Sequence, residues 1–153
     1  MRESIELSEL YPLMAEVIAQ GGSFRFYPRG TSMLPMLVEG EDSVLLAAAK
    51  DIAVGDVLFY RRDNGAFVLH RLIDLHGDKL TMCGDHQRAL EYGVRREQVL
   101  ARLVGFYKGE VYHSVEDAEY RAYARKMVKR FPFYRKNEKL FAFLKKIKTS
   151  LMR

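Results

Sequence analysis

Between residues 24 and 112 no apolar run is long. Short apolar stretches are cut at close intervals by a glycine followed by an acid, at Gly40-Glu41, Gly55-Asp56, Gly77-Asp78 and Gly84-Asp85. Glycine takes positive φ freely and an acidic side chain can hydrogen-bond its own backbone, so each pair marks a turn. Asp63-Asn64-Gly65 is the strongest hairpin signal among them. The pattern predicts strands over residues 24–28, 43–48, 56–61, 66–74, 79–83 and 99–108, spaced closely enough for a coiled sheet or partly closed barrel. Nine Tyr and nine Phe with no Trp agree with substantial β content.

Helical periodicity flanks this region. Residues 4–20 place Ile5, Leu10, Met14, Val17 and Ile18 at helical spacing with glutamates between them, and Gly21-Gly22 gives a stop. Ser114 with Glu116 and Asp117 marks a second helix start, running to about Arg130 before Pro132 breaks it. A last helical piece over residues 136–151 aligns Leu140, Leu144, Ile147 and Leu151 among Lys139, Lys145, Lys146 and Lys148. A chain of 153 residues, 48% hydrophobic, buries one core, with no room for a second cofactor-sized domain. The expectation is a mainly β (α+β) protein in three parts: an N-terminal amphipathic helix (1–22), a sheet domain (23–115) and a basic helical extension (116–153).

Charge is unevenly spread. Residues 116–153 hold twelve Lys/Arg and four Asp/Glu, a balance of +8 that leaves −3 for residues 1–115 of a chain whose net charge is +5. The basic tail has three readings: contact with an anionic membrane surface, docking on its own domain with the lysines in solvent, and, least favoured, nucleic acid, for which no reading motif accompanies the charge. The single cysteine, Cys83, excludes an internal disulfide and fits a reducing cytoplasm. No apolar run approaches the roughly 20 residues of a membrane span, and Glu3, Glu6 and Glu9 stand where a secretion signal would carry basic residues.

Three residue types in chain order raise a catalytic reading. Ser32 lies in Gly30-Thr31-Ser32-Met33-Leu34-Pro35, His70 in Val68-Leu69-His70-Arg71 and Asp85 after Gly84. A serine hydroxyl is a poor nucleophile unless a base takes its proton, and that base needs a group to hold its tautomer. Each residue also has a plain structural reading. Ser32 would be a turn serine, His70 a buried hydrogen-bonded histidine, and Asp85 a turn acid like Asp56 and Asp78. His70, His76, Cys83, Asp85 and His86 match no compact zinc spacing, so no metal or other cofactor is expected.

The segment around Ser32 resembles the Gly-x-Ser-Met-x-Pro nucleophile box of the signal peptidase and LexA-like serine peptidase superfamily. Val54-Gly55-Asp56-Val57-Leu58-Phe59 is similar to its following structural box, and the resemblance extends over residues 24–108. Where bacterial signal peptidases and self-cleaving repressors have lysine, this chain reads Val68-Leu69-His70-Arg71-Leu72-Ile73, like the histidine type of the endoplasmic-reticulum, archaeal and sporulation signal peptidases. Met82-Cys83-Gly84-Asp85-His86-Gln87 then resembles that type's Gly-Asp segment, and residues 97–105 its closing strand.

The resemblance implies a serine endopeptidase of that coiled-sheet fold, with Ser32 as nucleophile, His70 as general base and Asp85, or alternatively Glu91, as the orienting acid. The loop Gly30, Thr31 and Ser32 would supply the oxyanion donors. The implied substrate is an extended peptide bound as an added strand. The lack of a membrane span departs from true signal peptidases, and composition instead favours a cytoplasmic role, peripheral to the membrane at most, such as trimming a leader segment. Two rivals stand beside it. One is a self-cleaving regulator, for which only 31 residues precede Ser32. The other is a peptide-binding module that keeps the fold without cutting.

Overall fold

The computed structural model describes residues 6–152. Among them, eight strands form one antiparallel sheet, preceded by one helix and followed by three. Helix α1 (Leu7–Ala19) lays Leu7, Tyr11, Met14 and Ile18 on the core, a stripe rotated from the expected one through Leu10 and Val17. Residues 4 and 5 of the expected helix lie outside the described residues. The stop at Gly21-Gly22 is a Schellman motif: Gly21 N–H donates to Ile18 O and Gly22 N–H to Val17 O, both at 3.0 Å, with Gly21 at φ +84°.

The strands are β1 (Phe24–Phe26), β2 (Ser43–Ala47), β3 (Val57–Arg61), β4 (Phe67–His76), β5 (Lys79–Cys83), β6 (Glu91–Arg95), β7 (Val99–Lys108) and β8 (Val111–Ser114). The order across the sheet is β1-β2-β7-β3-β4-β5-β6, with β8 folded back on β7. The six expected strands are present, and β6 and β8 are additional. Among the described residues β1 and β6 end the path and no ladder joins them, so of the expected coiled sheet or partly closed barrel the structure has an antiparallel sheet that is not closed into a barrel.

Alternation along β3 explains where the core sits. Successive side chains of a strand point to opposite faces. Val57 and Phe59 enter one cluster with Met14, Phe26, Val44 and Leu103, while Leu58 and Tyr60 enter another with Val68, Leu72, Leu80 and Met82. A strand buried on both faces reads as a continuous apolar run, as Val57 to Tyr60 does. The Asp63-Asn64-Gly65 hairpin sets the β3–β4 register. Arg62 N–H donates to Ala66 O at 2.8 Å, Ala66 N–H to Asn64 Oδ1 at 3.0 Å, and Gly65 takes φ +89°. That register puts His70 opposite Leu58 and one step diagonally from Tyr60, on the same face.

Arg71, the next residue, therefore points to the other face, where its side chain is wholly buried. Each of its five N–H donors meets an acceptor. Nε and Nη2 form a bidentate pair with Asp85 at 2.8 and 2.7 Å. Nη1 donates to Gly55 O at 2.7 Å and Tyr120 Oη at 3.2 Å, and Nη2 also reaches Met36 Sδ at 3.6 Å. Burial alone would lower the affinity of Arg71 for its proton, but its hydrogen bonds to Asp85 and Tyr120 and the charge beside it together outweigh burial and raise the pKa above the ordinary value.

Helix α2 (Ala118–Val128) supplies Tyr120, and it also supplies Tyr123, whose hydroxyl donates to Asp85 Oδ2 at 2.8 Å. Tyr120 and Ala124 pack in the first cluster, so α2 belongs to the sheet's core. Pro132 ends that run and opens a short helix, α3 (Phe131–Lys136), because proline is tolerated in a first turn where its missing N–H is not needed. Helix α4 (Glu138–Leu151) follows and contributes no residue to either cluster. Removing one partner of a buried pair strands the other charge at a cost of about 3–5 kcal/mol, a large share of the ~5–15 kcal/mol that holds a domain together. Asp85→Ala is accordingly expected to lower the free energy of unfolding in urea by about that amount. A change below ~1 kcal/mol would contradict the structural role given to this pair.

Candidate functional site

Ser32 sits on the loop between β1 and β2, which the core grips by its apolar side chains. Met33, Met36 and Leu37 are buried in the first cluster. The far end of the loop is tied by Asp42, whose Oδ2 accepts Val38 N–H at 2.8 Å and pairs with Lys108, while Lys108 Nζ donates to Met36 O at 2.8 Å. These hydrogen bonds hold the Asp42 carboxyl below its ordinary pKa against the opposing effect of burial. On the other side His86 N–H donates to Ser32 O at 2.9 Å. A Cβ on Gly84 would stand 2.6 Å from that same oxygen, so only glycine lets the Gly84-Asp85 turn lie on the serine's backbone.

Ser32 and His70 line one groove of about 280 Å³, together with Pro28, Arg29, Gly30, Leu69 and Gln87. The serine hydroxyl makes no hydrogen bond to the ring. Gly30 holds φ +89°, and a Cβ there would meet nothing, so conformation and not space calls for glycine. Thr31 O accepts Leu34 N–H at 3.1 Å, whereas the Ser32 N–H donates to no acceptor among the described residues.

The environment of His70 assigns its tautomer. Tyr60 donates its hydroxyl proton to Glu91 Oε1 at 2.5 Å, and the Tyr60 hydroxyl oxygen lies 3.4 Å from His70 Nδ1. With its proton committed to the carboxylate, Tyr60 can only accept from the ring, so this network puts hydrogen on Nδ1 and leaves Nε2 as the basic nitrogen. Glu91 is held by Arg62 through Nε–Oε2 and Nη2–Oε1 contacts of 3.0 Å. Burial raises the Glu91 pKa, but the bonds from Arg62 and Tyr60 outweigh it and keep the carboxyl below its usual value. Burial, followed by Glu91, pushes the Tyr60 phenol up and keeps it protonated.

His70 itself is 6% exposed. Burial, then the Arg62 charge, push its pKa down to about 4 against the opposing pull of Glu91 and Asp85. The ring is thus neutral throughout the neutral range.

Of the sequence-derived site residues, Ser32, Gly30 and His70 come together at the groove. Asp85 does not reach the ring. Its carboxylate is spent on Arg71 and Tyr123 on the opposite face of β4, and Glu91 is the acid linked to His70, through Tyr60. Sequence reasoning missed Tyr60, Arg62 and Arg71. The first was within reach, because the hairpin register and strand alternation place residues 60 and 70 on one face.

Cys83 is buried, with its thiol pushed up to about 11 by that burial, and offers no nucleophile at neutral pH. Among the described residues no three His, Cys, Asp or Glu side chains are grouped to hold a metal ion, and no helix is long and apolar enough to cross a membrane. No protein-family model matches the chain, and no curated protein matches it.

The depressed pKa of His70 has a thermodynamic consequence. The unfolded chain binds a proton near pH 6.5, and the folded protein resists it until about pH 4. The stability this represents is present above 6.5 and is lost as pH falls from there to about 4, about 3 kcal/mol in all. Nuclear magnetic resonance titration of His70 is expected to show an imidazole neutral at pH 5.5. Glu91→Gln, which removes a charge that raises the ring's pKa, should move the midpoint lower still. A midpoint near 6.5 would contradict the buried geometry.

Proposed function

We propose that this protein is a serine endopeptidase that cleaves an extended peptide segment through an acyl-enzyme. The observation that carries the reading is a serine on a rigid loop sharing one groove with a buried, neutral histidine whose tautomer leaves Nε2 free. Ser32 Oγ attacks the scissile carbonyl while His70 Nε2 takes its proton, and the ring then returns that proton to the leaving amine. Water repeats the sequence on the ester. The Ser32 N–H steadies the tetrahedral oxyanion, and Glu91, through Tyr60, steadies the imidazolium formed on the way. The histidine-type resemblance to the signal peptidase and LexA-like superfamily points to the same chemistry.

Strand β4 supports binding of substrate as an added strand. Its polar groups at the even-numbered residues face β3, as in Arg62 N–H to Ala66 O and Leu72 N–H to Asp56 O, so Phe67 and Leu69 turn theirs the other way. β5 pairs with β4 only from Arg71 onward, which leaves residues 67–70 as an edge along the groove. An extended peptide laid there would pass His70 and Ser32 in turn.

An acylating fluorophosphonate is expected to label the wild-type chain at Ser32 and not Ser32→Ala, and cleavage of an unstructured peptide mixture, followed by mass, should vanish with the same substitution. Tyr60→Phe, which severs His70 from Glu91, is expected to reduce the labelling rate roughly ten- to a hundredfold. Unlabelled wild-type protein that still binds peptides would instead identify a non-catalytic peptide-binding module.

A further inference from the structure

Helix α4 turns its apolar side away from the rest of the protein. It is attached by its first turn, where Tyr92 donates to Glu138 and where the Phe141 ring meets Tyr134 at 5.7 Å and the Arg88 guanidinium at 5.3 Å. Glu138 and Phe141 lie about 130° around the helix from the row Leu140, Phe143, Leu144, Ile147 and Leu151. That row is 41–81% exposed. Lys139 and Lys146 border the row on one edge and Lys148 on the other. Across residues 129–152, eight Lys/Arg stand against Glu138 alone.

Charge decides what can cover this face. A second copy packed on the same row would bring two strongly basic segments together, since a two-fold interface places each patch against itself. Nucleic acid would satisfy the lysines and leave the leucines in water. A surface of anionic phospholipid satisfies both, with the row at the acyl boundary and the lysine stems reaching up to the headgroups.

We propose that α4 is an in-plane anchor that binds the protein to anionic phospholipid membranes through this row and its bordering lysines. The anchor is independent of the catalytic reading.

The test is co-sedimentation of the full chain with vesicles of phosphatidylcholine alone and of phosphatidylcholine containing about a third phosphatidylglycerol. Binding is expected to the anionic vesicles, at least tenfold weaker to the neutral ones, and reversed by ~1 M salt. Lys139, Lys146 and Lys148 changed together to Gln should weaken it on the order of a hundredfold, at about one lysine's attraction each. Leu144→Glu with Ile147→Glu should abolish it while the thermal melt and the labelling of Ser32 stay unchanged.

Equal binding to both vesicles, binding to neither, or a preference for duplex DNA would overturn the proposal. So would a dimer in sedimentation equilibrium that the two glutamates dissociate. Loss of vesicle binding with Ser32 labelling intact leaves the peptidase reading standing, and the converse leaves the anchor.

Discussion

The buried pair of Arg71 and Asp85 is the interaction on which the arrangement of this protein turns. A guanidinium with no access to water must find an acceptor for every N–H, and Arg71 finds them on four separate pieces of chain: the turn before β3, the loop that carries Ser32, the turn after β5, and helix α2. Its bidentate bond fixes Asp85, and with it the turn whose His86 N–H holds Ser32 O. A charge network that spans four segments ties them to one another, the loop that carries Ser32 included.

This explains why Asp85, the acid that the sequence resemblance put forward, does not reach the histidine. His70 and Arg71 are neighbours on one strand and so point to opposite faces, which separates two chemical tasks within one dipeptide. On one face Asp85 neutralises Arg71. On the other Glu91, fixed by Arg62, polarises Tyr60, and Tyr60 orients the ring. Burial and the Arg62 charge keep the histidine neutral, and the carboxylates of Glu91 and Asp85 favour its protonated form without overcoming them.

The C-terminal basic segment is divided in the same manner by what each helix can bury. α2 packs Tyr120 and Ala124 into the sheet's core and supplies two hydroxyls that complete the Arg71–Asp85 network, so it is integral to the fold. α4 has an equally regular apolar row, but its attachment uses the side that carries Glu138 and Phe141. The same amphipathic periodicity thus has opposite outcomes within a few turns, and only contact geometry distinguishes them.

Much of this was legible in the chain. Glycine and acid pairs at turns, the Asp63-Asn64-Gly65 hairpin and the Gly21-Gly22 stop act through local backbone preferences, so six strands, the first helix's end and the β3–β4 register could be read from residues alone. Ser32 and His70 stood out only through their place in an ordered set of motifs that resembles a known superfamily, since alone each also fits a plain structural role. What needed the tertiary structure was pairing at a distance. Whether His70 answers to Asp85 or Glu91, whether Tyr123 belongs to the core, and which side of α4 remains bare all depend on which faces meet once the sheet is assembled. No local preference encodes that, because the burial of Arg71 and its competition for Asp85 exist only in the packed chain.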